Sequence, residues 1–419
     1  MSAPKGRGEL RDQPPRSGCR PTALRSGSTG ALGEPLAAAE TDRIIYHLTG
    51  IEHQHDALLG ELPGIHIRFA LKACPVDEVL RCLAERGAGF DTASPAEITQ
   101  ALHAGAQPDH IHYGNTIKSD HDIAEAHRLG VRTFATDSIE DATAIAAHAP
   151  RARVFCRLAT SGEGAVWGLN RKFGCTPDDA VRVLVTARAA GLTPVGLSVH
   201  VGSQQMTAEG WQQALDTLAE TVTALAGRGI VPDHINLGGG LPALGYQDRH
   251  GNPLDPPLDK IFTVLREGMD HLRTLTSTPL AFVMEPGRHL VADHGAVRAH
   301  VSRLTRRRQP DGTDAHWLYL SCGKFNGLYE MDQLTHRMVF PGHPEDEERV
   351  LAIVAGPTCD SDDAYGDGRH PVRVPRSVGS GDPVWILSAG AYATSYMTQG
   401  FNGIRPLPCV CIRGQEGQH

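Results

Sequence analysis

No run of apolar residues in this chain approaches the length needed to span a bilayer, which excludes a membrane-spanning helix. Positive charge is not in excess either. Lys and Arg number 40 against 48 Asp and Glu, and a net charge of −8 argues against nucleic acid as the main partner. The nine cysteines follow no disulfide or zinc-knuckle spacing, and Cys409-Val-Cys411 is short and alone. No secretory hydrophobic segment is legible, so a reducing cytoplasm is the expected location. No metal is expected, because the 22 histidines sit mostly singly or in polar helical stretches such as Ile51-Glu-His-Gln-His-Asp56.

What is present is a long alternation of β and α patterns. With 419 residues, 40% hydrophobic and 21% charged, the chain is expected to form a soluble protein of two domains. Residues 1–34 are rich in Arg, Gly, Pro and Ser without periodicity, and they read as a disordered tail. Residues 35–292 read as one domain. Strands are expected near 65–71, 87–91, 110–113, 131–136, 153–158, 194–200, 233–238 and 280–284, with amphipathic helices between them. Eight strands alternating with helices indicate an α/β fold, a (β/α)8 TIM barrel. The alternative is an open doubly wound sheet, but no Gly-x-Gly-x-x-Gly follows the first strand. Residues 293–419 carry short β runs (Val297–Leu304, Trp317–Leu320, Val350–Val354, Pro383–Leu387, Cys409–Ile412) and read as a mainly β domain.

Barrel enzymes gather their chemistry at the C-terminal ends of the strands. Here the first strand, Ile65-His-Ile-Arg-Phe-Ala-Leu, delivers Lys72 before Pro75. A lysine at the edge of a partly dry cleft can lose its proton and act as an amine nucleophile. The later ends carry Asp91 and Ser94, Asn115, Asp137, Arg157, His200, the run Gly238-Gly239-Gly240, and Glu285-Pro-Gly287-Arg288. Three glycines leave backbone N–H groups open to an anion, and Arg288 adds a cation suited to phosphate. Glu285 beside a phosphate-type site calls for a cationic ligand atom, which a pyridinium nitrogen supplies. Lysine, glycines with arginine, and carboxylate together describe a site for pyridoxal 5′-phosphate.

The same residues carry a family resemblance. The chain resembles the fold-type III pyridoxal-phosphate-dependent decarboxylases, the group of ornithine, arginine and diaminopimelate decarboxylases. The matching pieces are Ala70-Leu-Lys-Ala73, Gly89-Phe-Asp-Thr-Ala-Ser94, Lys172-Phe-Gly174, His200-Val-Gly-Ser203, Gly238-Gly-Gly240, Glu285-Pro-Gly-Arg288, Gly356-Pro-Thr-Cys-Asp360 and Gly390-Ala-Tyr392 with Phe401-Asn-Gly403. They run in family order.

The resemblance implies an amino-acid decarboxylase working as a homodimer with active sites shared between subunits. It implies that Lys72 holds the cofactor as a Schiff base and that Glu285 pairs with its ring nitrogen. His200 would stack on the ring; Ser203, the Gly238–Gly240 loop, Arg288 and Tyr392 would bind the phosphate; Asp91 and Arg157 would line the pocket. Cys359 and Asp360 would enter from the partner subunit, Cys359 giving the proton that quenches the carbanion left by carbon dioxide.

Departures from the family pattern bear on the substrate. Ser321-Cys-Gly-Lys-Phe-Asn-Gly-Leu-Tyr-Glu-Met-Asp332 matches neither the ornithine/arginine segment nor the arginine-bearing diaminopimelate segment. Glu330 and Asp332 are candidates to receive a distal ammonium, and Asp362 with Asp363 form a second acidic pair. A basic substrate is therefore expected: ornithine, lysine or a diamino-acid conjugate. Pro35-Leu-Ala-Ala-Ala-Glu40 lacks the aromatic residue and aspartate that the family carries in its N-terminal strand. Two rivals are an amino-acid racemase on the same fold, which would need a tyrosine opposite the lysine, and a non-catalytic regulatory homologue, which would lack Lys72 or Cys359.

Overall fold

The computed structural model describes residues 29–414 apart from 169, 170, 249, 310 and 369. Most of the expected tail lies outside that range. Its last residues begin helical turns, Gly30–Leu32 and Gly33–Ala38, that bury Leu32 and Leu36.

The barrel forms as expected. Its eight strands, in chain order, are Ile65–Ala70, Gly89–Thr92, Ile111–Tyr113, Thr133–Thr136, Arg153–Arg157, Thr193–Ser198, His234–Asn236 and Ala281–Met284. Each is parallel to its neighbours, and the eighth closes on the first through Phe282↔Ile65 and Met284↔Ile67. The strands are short and largely buried, as strands covered by helices must be.

Sequence dictates where the helices start. Ser94 accepts from the N–H of Glu97, and Glu97 reaches back to the N–H of Ala93, a reciprocal cap on Pro95–His103. Ser119, Ser138 and Thr176 cap the following helices by accepting from the N–H three residues on, without that reciprocal bond among the described residues. In Glu209–Ala226 the buried residues Trp211, Ala214, Leu215, Leu218, Val222 and Leu225 recur at helical spacing, forming one apolar stripe. Gly268 of the next helix, Leu258–Thr274, lets Leu215 approach closely.

The second domain is a mixed sheet. Its central strand, Gly295–Arg308, pairs with Pro383–Ile386 through its first half and with Asp314–Leu320 through its second. A register shift between Val301 and Arg303 marks the bend between the halves. Arg349–Ala355 and Val372–Pro375 extend the sheet beyond Asp314–Leu320.

The division at residues 35–292 needs one correction. Arg43–His47 belongs to the second sheet, antiparallel to Gly295–Arg308 (Ile44↔Val297) and parallel to Cys409–Ile412. Pro35-Leu-Ala-Ala is helical instead, as alanine-rich sequence prefers, and the β-forming Ile44-Ile45-Tyr46 supplies the strand.

Candidate active site

The first barrel strand ends in a single 3-10 turn, Leu71–Ala73, which carries Lys72 to the mouth of a cleft. That cleft is lined by Ala70, Lys72, His200, Ser203, Gly239, Gly240, Leu241, Glu285, Gly287, Arg288 and Tyr392. Nine of these eleven are residues the sequence singled out, drawn from the first, sixth, seventh and eighth strand ends and from the second domain. Tyr392 is fixed there by donating its backbone N–H to the carbonyl of Ala73 at 2.7 Å. A larger cavity lies elsewhere, between Gln247, His250 and Gly251 of the barrel domain and the second domain.

Behind Lys72 runs a chain of charges. The Lys72 Nζ donates to Asp91 Oδ2 at 2.9 Å. His112 Nε2 stands 3.2 Å from Asp91 Oδ1 and 2.8 Å from Glu285 Oε1. Asn236 Nδ2 donates to the same Glu285 oxygen at 2.5 Å. Burial penalises the imidazolium, but the hydrogen bonds to Asp91 and Glu285 outweigh it and raise the His112 pKa above the usual range. Burial alone would raise Asp91, yet Lys72 and His112 hold it below the ordinary carboxylate range.

For Lys72 the sequence expectation of an easily lost proton is reversed. Burial pulls the amine down, but Asp91, Tyr392 and Glu285 hold it above the usual lysine range. Its side chain is 47% exposed to the cleft, so solvent screens part of that attraction.

Asp91, His112 and Glu285 are also the one group of metal-type ligands among the described residues. An Nε2 shared between two carboxylates carries a proton, so it offers no lone pair to a metal.

The glycine run forms the opposite wall. Gly238 (φ +69°) and Gly240 (φ +125°) adopt backbone that side chains disfavour. A Cβ on Gly239 would come within 2.9 Å of the Glu285 carbonyl and 3.0 Å of His200 Nε2, so a side chain there would fill the cradle. His200 is held by Nδ1 accepting from the N–H of Gly202 at 3.1 Å. Burial, then Arg157 and Lys72, push its pKa down to about 3, leaving a neutral ring.

Arg288 is buried between aromatic faces, with Trp167 at 4.8 Å and Tyr392 at 4.9 Å from its guanidinium carbon. It donates to Ser203 Oγ at 3.2 Å and to the Tyr246 hydroxyl at 3.0 Å. Both oxygens of Glu330 close on it, at 2.5 and 2.6 Å. Its Nε has no partner among the described residues, which leaves one buried donor for an anion. Arg157, at the end of the fifth strand, lies against Phe173 and acts on the cleft through its charge.

Other sequence candidates fall elsewhere. Glu330 is engaged by Arg288 rather than free for an ammonium. Asp332 pairs with Lys324 at 2.5 Å, and Asp362 with the same Nζ at 2.8 Å. Asp363 is buried and accepts from the backbone of Lys324 and Thr358, which pins the loop. Ser94 is a helix cap, Asn115 closes a local turn to Ile117, and Asp137 anchors the N–H of Gly174. Cys359 and Asp360 lie on an exposed loop and do not line the Lys72 cleft of their own chain. There Cys359 donates its N–H to Asn402 Oδ1 at 2.9 Å, and Asn402 Nδ2 approaches Sγ at 3.3 Å. His112 and Asn236 escaped the sequence reading, since Ile-His-Tyr and His-Ile-Asn look like ordinary strand interior. Their neighbours in the closed barrel are the only signal.

A buried carboxylate chain behind a lysine, facing a glycine cradle with an arginine, defines a pyridoxal-phosphate enzyme. Residues 48–292 match the family described as "Pyridoxal-dependent decarboxylase, pyridoxal binding domain". The chain is 31% identical to an ornithine decarboxylase of Caenorhabditis elegans, over 90% of this chain and 89% of that protein. It is 31% identical to a diaminopimelate decarboxylase of Pseudomonas fluorescens (90% and 91%) and 27% identical to a lysine/ornithine decarboxylase of Selenomonas ruminantium (90% and 90%). In fold it is similar to a lysine/ornithine decarboxylase from Vibrio vulnificus solved with putrescine, with a TM-score of 0.78 at 24% identity over 93% of this chain and 99% of that one. The chain belongs to the fold-type III pyridoxal-phosphate-dependent amino-acid decarboxylases. The glycine cradle, the unpaired Arg288 Nε and the Lys72–Glu285 cleft fit that cofactor.

Proposed function

We propose that the chain removes carbon dioxide from a basic amino acid, and that Lys72 is the cofactor-anchoring amine. The observation that carries this reading is the convergence of Lys72, Glu285, Ser203, Arg288 and Tyr392 on one cleft. When bound, pyridoxal phosphate supplies an electron sink for the carbanion at Cα. Ser203, Arg288 and the N–H groups of the glycine cradle would hold its phosphate, and the Lys72 amine would anchor it. Glu285, oriented by His112 and Asn236, would keep a proton on the ring nitrogen, and neutral His200 would lie against the ring. Asp91 steers the amine of Lys72 into the cleft.

Cys359 returns the proton to Cα. Because it lies outside its own chain's cleft, it reaches the cleft of a second copy, so the working unit is a homodimer with composite sites. Asp360 enters with it, beside the distal end of the substrate. Relatives named for ornithine, lysine and diaminopimelate support a substrate with a second amino group. Both Lys72 and Cys359 are present, which favours a working decarboxylase over a silent homologue.

Carbon dioxide release from cofactor-loaded protein tests the reading, with L- and D-ornithine, L- and D-lysine, arginine, diaminopimelate and 2,4-diaminobutyrate as candidates. Release from one of them fixes the substrate and its hand. Inversion without release would replace decarboxylation by racemisation. Lys72→Ala should also lose the peptide labelled by borohydride reduction; a label retained elsewhere would move the anchoring amine.

A further inference from the structure

The larger cavity, about 870 Å³, shares no lining residue with the Lys72 cleft. It lies between the ribbon that pairs Tyr246–Gln247 with Thr335–His336 and the strand pair of Arg349–Ala355 with Val372–Pro375. Its volume is that of an ordinary small-molecule site. Its charge is one-sided. Arg337, Arg349 and Arg373 line it, and Glu345 is the single carboxylate among the described lining residues. In a chain of net charge −8, such a cavity concentrates positive potential where the rest of the molecule does not.

The register explains the clustering. Leu351 lies opposite Arg373, and Arg349 precedes Leu351 by two residues on the same face. The two arginines are therefore diagonal cross-strand neighbours, with Cβ atoms roughly 7 Å apart. Neither forms an ion pair with a described carboxylate, although Arg376, just beyond them, is held by Glu348 at 2.5 Å. Two like charges set side by side without a counter-ion repel, and guanidinium forks match phosphate and carboxylate oxygens. Gln247 adds a neutral hydrogen-bonding group from the ribbon.

We propose that this cavity is a second ligand site and that it takes a small multivalent oxyanion, carrying phosphate or carboxylate groups. The site stands one ribbon away from the cofactor cradle: Gln247 lines it, while the adjacent Tyr246 reaches Arg288 with its hydroxyl.

The test is calorimetric titration of the full chain loaded with pyridoxal phosphate, so that the Arg288 cradle is already filled. Pyrophosphate and citrate are titrated separately at low salt. One ion is expected to bind per chain, at least tenfold more weakly in Arg349→Gln/Arg373→Gln, and more weakly as salt is added. Tighter binding of pyrophosphate identifies a phosphate ligand, and tighter binding of citrate a carboxylate one. Absence of heat with both anions at millimolar concentration overturns the proposal, as does binding that the double variant leaves unchanged. Should the double variant fold poorly, Glu345→Gln decides: removing the opposing carboxylate must tighten the ion, and an unchanged affinity overturns the site.

Discussion

Glu330 and Arg288 form a forked ion pair in which both carboxylate oxygens meet the guanidinium, at 2.5 and 2.6 Å. The pair is nearly dry, at 13% and 3% side-chain exposure. Arg288 faces the cradle through its hydrogen bond to Ser203, so if it binds the cofactor phosphate as proposed, Glu330 competes for the same cation. Glu330→Gln removes the competing charge but keeps an amide oxygen for Arg288. It should bind pyridoxal phosphate several-fold more tightly, read from equilibrium titration. Arg288→Met should do the opposite and lose stability by about 3 kcal/mol, because it strands a poorly solvated carboxylate. Unchanged cofactor affinity in Glu330→Gln would detach the pair from phosphate binding.

Asp91 is the main charge that keeps Lys72 protonated against burial. In Asp91→Asn that attraction is gone and desolvation remains, so the amine deprotonates at lower pH. The pH profile for trapping pyridoxal with borohydride should therefore shift downward by about one unit or more. A profile that stays in place would mean that Tyr392 and Glu285 hold the charge without Asp91.

The contrast between these residues marks how far sequence could reach. The eight barrel strands were legible because each is a compact apolar run bounded by turn residues. Lys72, His200, the glycines and Glu285 were legible because strand ends are fixed by the same pattern. Arg43–His47 was not, since three apolar residues between polar flanks become a strand only by pairing with Val297 and its neighbours far along the chain. His112 was lost for a similar reason: its role comes from two carboxylates on other strands. Glu330 and Asp332 read as free acids because nothing local reveals that Arg288 and Lys324 will meet them.

His112 also gives the site a pH signature. Its folded pKa is raised above the unfolded value near 6.5. The stability it contributes is thus complete below that value and is lost as pH climbs through the raised folded pKa. His112→Gln keeps a donor for the carboxylates but cannot gain charge. The gap in urea midpoint between the native chain and this variant should be widest below the unfolded value near 6.5 and should narrow as pH rises above it. A gap that widens with pH would mean that His112 is neutral in the folded state.

Cys359 tests the composite site most directly. It sits on an exposed loop, tied to Asn402, and lines no part of its own chain's Lys72 cleft. Cys359→Ala should keep its cofactor and lose turnover by roughly a hundredfold, the usual effect of removing a positioned acid. Lys72→Ala is inactive for a separate reason. If each site takes Lys72 from one chain and Cys359 from the other, mixing equal amounts of the two variants makes half of the dimers hybrids. Each hybrid has one site with both residues intact, so about a quarter of native activity returns. Sites built within single chains would give no recovery, because every chain in the mixture lacks one of the two groups.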